Sequence, residues 1–206
     1  MDNKLTKDKN KLTKDKFDEM VLLAQSVLLD YNCYTFPINV YELANKIGLH
    51  LIPYSELPSQ KRERLLNVKG TERGLTVSHS KNGNTVYCTY YNDEFGEAAC
   101  RYTIAHEIKH VVSGDIDKSE GSFTEADEHL ANYFAKCLLA PQSIIITSGY
   151  QTTGEYIEHF GMSYEASEIW HTSTEKRKRR FGNDYLFIYE KPFVKEMRAR
   201  SQMRFN

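Results

Sequence analysis

The segment His106-Glu107-Ile108-Lys109-His110 constrains this chain more than any other stretch. Its two imidazoles stand four residues apart, and on an α-helix such positions lie one turn above each other on a single face. Around them Ala98, Ala99, Tyr102, Ile104, Ala105, Ile108, Val111 and Val112 make Glu97–Ser113 a helix that is apolar nearly all round and closed by Gly114. Such a helix has to be buried. Histidine or glutamate inside it needs a partner, because a buried unpaired polar group costs about 1–3 kcal/mol. Two imidazoles at this spacing can grip one metal ion at about 2.0–2.1 Å each, with the glutamate beside its open position. The chain must therefore bury this helix and still open one side of it.

Length and composition permit that. The 206 residues are 40% hydrophobic and 27% charged, which gives room for one sizeable core plus a small appended unit and excludes a largely disordered or collagenous chain. The longest strongly apolar stretch, Met20 to Leu29, is broken by Gln25 and Ser26 and falls short of the roughly 18–20 residues a bilayer span needs. It has no small-residue cleavage site behind it, so neither a signal peptide nor a membrane partner is expected. Cys33, Cys88, Cys100 and Cys137 lie far apart with no CxxC pair, a pattern of reduced thiols that points to the cytoplasm. The net charge of −1 conceals an asymmetry: six Lys against three Asp in residues 1–16, ten Lys or Arg against four acids in residues 175–206, and an acidic body between. Two surfaces with different partners are implied.

The remaining pattern is mixed α+β with few strands. KLTKDK occurs twice within residues 1–16, which reads as a flexible charged lead-in, with order beginning near Phe17. Phe17, Met20, Val21, Ala24, Val27 and Leu28 fall at helical spacing. Asn39 and Glu42 form a capping-box pattern for a short helix stopped by Gly48, and Leu49–Ile52 alternates as a strand. Leu75–Tyr91 has period two around Lys81-Asn82-Gly83-Asn84, a hairpin signal. A helix is expected from Thr124 to Leu139, then two helical stretches around Gly161, a strand Tyr185–Tyr189 and a basic tail.

The Thr124–Leu139 helix offers Glu125, Asp127, Glu128 and His129 as further metal ligands. Histidine is the commoner ligand by type, but direction decides. At 100° per residue Glu128 shares a face with Ala131, Ala135 and Leu138, small or apolar residues of a packed stripe, whereas His129 shares its face with Glu125, Asn132 and Lys136. Asn132, one turn beyond Glu128, is placed to hold a ligand imidazole by hydrogen bond.

RYTIAHEIKH at Arg101–His110, followed by EHLANYFAKCLLAP at Glu128–Pro141, resembles the ImmA/IrrE family of zinc metallopeptidases. The likeness runs over about Pro37 to Pro141. It implies an α+β, zincin-like core made of the HExxH helix, a ligand helix and a small antiparallel sheet, with residues 17–149 as the peptidase domain and 150–206 as a basic, helix-turn-helix-like unit. It further implies His106, His110 and Glu128 as ligands of one Zn2+ per chain, with Mn2+ the other metal the donor set admits, and Glu107 as general base. The implied substrate is a helix-turn-helix transcriptional repressor, cut to release a mobile element or stress genes. Two positions depart from the family pattern: Lys109 stands where glycine is usual, and Leu130 where a second glutamate often occurs.

An extended substrate would add as a strand to the edge of the Leu75–Tyr91 hairpin, and Tyr150 is the candidate oxyanion donor by type and position. His50, His79, His159 and His171 read as surface or core residues. Lys176, Arg177, Lys178, Arg179 and Arg180 form a candidate contact for nucleic acid or an acidic partner. The competing reading is a DNA- or protein-binding regulator with a non-catalytic zinc site. The oligomeric state is not written in the sequence.

Overall fold

The structure, a computed structural model, describes residues 12–68, 70–81, 83–117 and 124–203. It is α+β, mostly helical with one three-stranded sheet. Helix α1 (Lys14–Asp30) begins three residues before Phe17 and buries Met20, Ala24, Val27 and Leu28; residues 1–11 of the expected lead-in lie outside the described residues. Helix α2 (Val40–Ile47) starts where Asn39 accepts a hydrogen bond from the Glu42 amide at 3.1 Å, and it stops at Gly48, whose φ of +92° is left-handed. Strand β1 (Leu49–Pro53) follows directly.

A short, mostly exposed helix α3 (Ser59–Asn67) then carries the chain across to strands β2 (Gly74–Lys81) and β3 (Asn84–Tyr91). These two pair antiparallel as the alternation indicates, while Asn82 of the expected turn lies outside the described residues. The sheet is nevertheless mixed and not antiparallel throughout, because β1 joins β3 in parallel register, Leu49 opposite Tyr87. The physical reason is the connection: a parallel partner needs a crossover and not a hairpin, and α3 lies in the segment between β1 and the hairpin. The order β1–β3–β2 leaves β2 on one edge.

Helix α4 (Glu97–Val112) carries the HExxH segment and lies against this sheet. The approach is close enough that a Cβ on Gly74 would come within 2.7 Å of Thr103 Cγ2 and 2.8 Å of the Tyr90 carbonyl. Glycine is what lets helix and strand meet there. After the 3-10 turn Asp115–Asp117, helix α5 (Glu125–Leu139) opens with a full capping box between Thr124 and Asp127 and packs between α4 and α1. Ala131, Ala135 and Leu138 are completely buried, as the stripe argument requires.

Helices α6 (Gln142–Ser148), α7 (Thr153–Phe160), α8 (Tyr164–Phe181) and α9 (Glu190–Met203) complete the chain. Their apolar residues Ile145, Tyr156, Phe160, Trp170, Phe193, Val194 and Met197 belong to the same continuous core as α1, α4 and α5. Residues Tyr185–Tyr189 are not a strand. The alternating aromatics that mimic period two pack on one another, stacked or edge to face, with neighbouring ring centroids among Phe181, Tyr185, Phe187 and Tyr189 5.3–5.5 Å apart. The tail beyond them is helix α9, which packs on α1 and α6. No helix among the described residues is long and apolar enough to cross a membrane.

Candidate metal centre

Helix α4 presents His106 and His110 on one face, and α5 brings Glu128 opposite them. His106 Nε2 lies 3.1 Å from His110 Nε2 and 3.2 Å from Glu128 Oε2, and His110 Nε2 lies 3.6 Å from Glu128 Oε1. A tetrahedral ion with bonds of about 2.0–2.1 Å sets its ligand atoms about 3.3 Å apart, so these spacings, with one carboxylate oxygen toward each imidazole, are close to what such an ion needs. His110 is buried, His106 is partly exposed and the carboxylate is half-exposed, which leaves an approach from one side. Two nitrogens and one oxygen converging in this way fit a divalent metal ion.

The back of each imidazole is held differently. His106 Nδ1 is 3.2 Å from Asn132 Oδ1, and the same oxygen accepts a hydrogen bond from the Tyr102 hydroxyl at 2.9 Å. His110 Nδ1 is 3.0 Å from Asp115 Oδ2, which also accepts from the Lys109 ammonium. Both acceptors place the ring proton on Nδ1 and turn the Nε2 lone pair toward the ligand cluster, the outer support typical of metal-binding histidine. Asn132 thus stands where the sequence places it. Asp115, Lys109 and Tyr102 were not foreseen in these contacts; the available signal was a carboxylate just past the Gly114 turn, five residues after the second histidine.

Glu107 lies beside the cluster and is 7% exposed. Burial pushes its carboxyl above the ordinary carboxylate range, against the pull of His106 and a hydrogen bond from the Thr76 hydroxyl. Thr76 in turn is 2.8 Å from the fully buried Thr89 hydroxyl of the central strand. Glu107 is therefore tied to β2. Residues Gly74–Ser78 of that strand, with Phe95, Tyr102, Ile116 and the HExxH groups, line an open cleft of about 850 Å³.

The other sequence candidates fall elsewhere. His129 is exposed and pairs with Glu125 at 3.7 Å, turned away from the cluster. Tyr150 does not line the cleft: its ring stacks on His159 at 4.4 Å and borders a separate groove between α6, α7 and α9, which removes it as an oxyanion donor. His50 and His79 line the outer face of the sheet, and His171 meets the Gln151 carbonyl at 2.8 Å.

The basic run on α8 is not a uniform charged face. Arg177 is committed to the buried Glu190 by bonds of 2.8 and 2.5 Å, and Lys178 pairs with Glu175 at 2.8 Å. Lys176, Arg179 and Arg180 are exposed. The first turns of α8, where a DNA-reading helix would meet bases, carry Glu165 and Glu168, and no Lys or Arg occurs between Thr153 and Glu175.

A family model described as the IrrE N-terminal-like domain, Peptidase_M78, matches residues 63–169, just over half of the chain, including all of α4 and α5. No curated protein and no solved structure shows a significant match.

Proposed function

The chain belongs to this peptidase family, and on that premise we propose that it is a zinc-dependent endopeptidase that cuts a helix-turn-helix transcriptional repressor, relieving repression of a mobile element or stress genes. The observation that carries the catalytic part is the convergence of His106, His110 and Glu128 beside Glu107, in a cleft bounded by an edge strand. The resemblance to the ImmA/IrrE pattern carries the choice of substrate.

His106, His110 and Glu128 would hold the ion. When bound, a divalent metal supplies Lewis-acid polarisation and an acidified water, and zinc or manganese would serve. Glu107 accepts the proton of the attacking water and returns it to the leaving amine. Burial raises the affinity of that carboxyl for protons, and the Thr76 hydroxyl fixes its direction. Among the described residues β2 pairs with β3 alone, so its second edge offers main-chain donors and acceptors to an extended peptide along the cleft. Substrate position and base position are then set by one strand. A base at this place favours the enzyme over a regulator with an idle zinc site, since a structural site has no use for one.

The test is incubation of the purified, zinc-loaded protein with the helix-turn-helix repressor encoded beside its gene, followed by mass spectrometry of the products. A discrete cut that chelator abolishes and added zinc restores is expected. An intact repressor in the presence of one bound zinc per chain would favour the regulator.

A further inference from the structure

Lys109 lies on an apolar helix between two histidines, where an ammonium has no obvious place. It is 2% exposed. A buried ammonium requires compensation, and Lys109 finds it in Asp115, itself 6% exposed, at the start of the 3-10 turn that follows Gly114. Gly114 at φ +70° supplies the left-handed step that brings the chain back onto α4. The oxygen that receives Lys109, Asp115 Oδ2, is also the acceptor for His110 Nδ1 at 3.0 Å.

We propose that Lys109 and Asp115 form a buried clamp that positions His110 for the metal, Lys109 being what keeps a carboxylate stable at that place. This rests on the reading of His110 as a ligand. Lys109 does not line the cleft, whereas Asp115 and His110 do, so the lysine acts through the carboxylate and is a positioning residue. Without that charge Asp115 loses a fully buried ion-pair partner, which is costly. The turn then relaxes toward water and His110 loses the acceptor that fixes its tautomer. His106 needs no such arrangement, because the acceptor behind it is the neutral Asn132 amide. The adjacent Ile116 also lines the cleft, so the same clamp sets one wall of the substrate channel.

The test is zinc affinity by competition with a chromophoric chelator, together with 15N NMR of the histidine side chains in the metal-free protein. Lys109→Met and Asp115→Asn should each weaken zinc binding about 10–100-fold, the usual effect of removing an outer partner of a ligand histidine. Lys109→Arg should restore most of it, and the double variant should lose no more than the worse single one. In the metal-free wild type His110 should be the Nδ1–H tautomer, and a mixture in Lys109→Met, with His159 unchanged in both. Should Lys109→Met fail to fold, Asp115→Asn and Lys109→Arg supply the same comparison. Wild-type zinc affinity in Lys109→Met with an unchanged tautomer would overturn the clamp, as would strictly additive losses. A wild type that binds no zinc would overturn the ligand reading instead, while the tautomer measurement would still report on the clamp.

Discussion

Helix α4 buries two cations, and their surroundings divide the molecule. Arg101, on the side facing the C-terminal helices, donates to the carbonyls of Phe160 at 3.0 Å, Gly161 at 2.7 Å and Ile38 at 3.1 Å. Lys109, two turns on, meets a carboxylate that supports a candidate ligand. The rear contacts bolt elements together: Arg101 ties α4 to the α7–α8 turn, Trp170 Nε1 donates to the Ala140 carbonyl at 2.7 Å, and Arg177 locks α8 to α9 through Glu190. A Cβ on Gly161 would stand 2.0 Å from Arg101 Nη1, so that joint has no slack. The front contacts aim lone pairs. Similar buried charges thus join elements at the rear and, in the proposed clamp, direct a ligand at the front, and changes in the two regions should separate cleanly.

The largest effect belongs to the front. Glu128→Ala should weaken zinc binding by more than the roughly 100-fold that loss of an outer partner costs, while His129→Ala should leave metal content near wild type. Metal analysis after dialysis reads both, and a reversed outcome would mean that α5 is rotated from its place. Next comes the rear. Arg177→Ala should strand the buried Glu190 and cost about 3–5 kcal/mol in denaturant unfolding, with zinc per chain unchanged. A loss of zinc from the folded variant would show that the two regions are coupled after all.

The smallest effect is the pH response of the metal-free protein. The hydrogen bond from His106 holds the Glu128 carboxyl below its ordinary 4.5. Burial alone would depress the His106 imidazole, but Glu128 and Glu107 carry it above its ordinary 6.5. The raised imidazole stabilises the fold fully below 6.5, and this is lost as pH rises through its folded value. The lowered carboxyl contributes fully above 4.5, and this is lost as pH falls through its folded value. Metal-free stability from this pair should therefore be flat between about 4.5 and 6.5 and decline on both sides. Thermal melts against pH check this, and Glu128→Gln should flatten the profile.

What the sequence reveals follows the same division. The HExxH helix, the Asn39 cap, the β2–β3 hairpin and the inward face of Glu128 are all written in local spacing, where helical and strand periods differ and a turn residue has one use. The parallel seat of β1 is a long-range pairing that no local period encodes. Helix α3 was missed because it is polar and barely packed, with no buried residue to give it a stripe. Tyr185, Phe187 and Tyr189 alternate like a strand but satisfy one another. Lys109 was legible as a departure from the family pattern, yet its purpose depends on Asp115 arriving from beyond a turn, which residue order alone does not show.

Glu107 is proposed to perform chemistry and not to hold the metal. Glu107→Gln tests this most directly, with zinc per chain and repressor hydrolysis measured on the same sample. About one zinc per chain is expected, as in the wild type, with hydrolysis reduced about 10²–10⁴-fold, the usual contribution of a general base. Loss of zinc together with hydrolysis would make Glu107 a structural group and not the base.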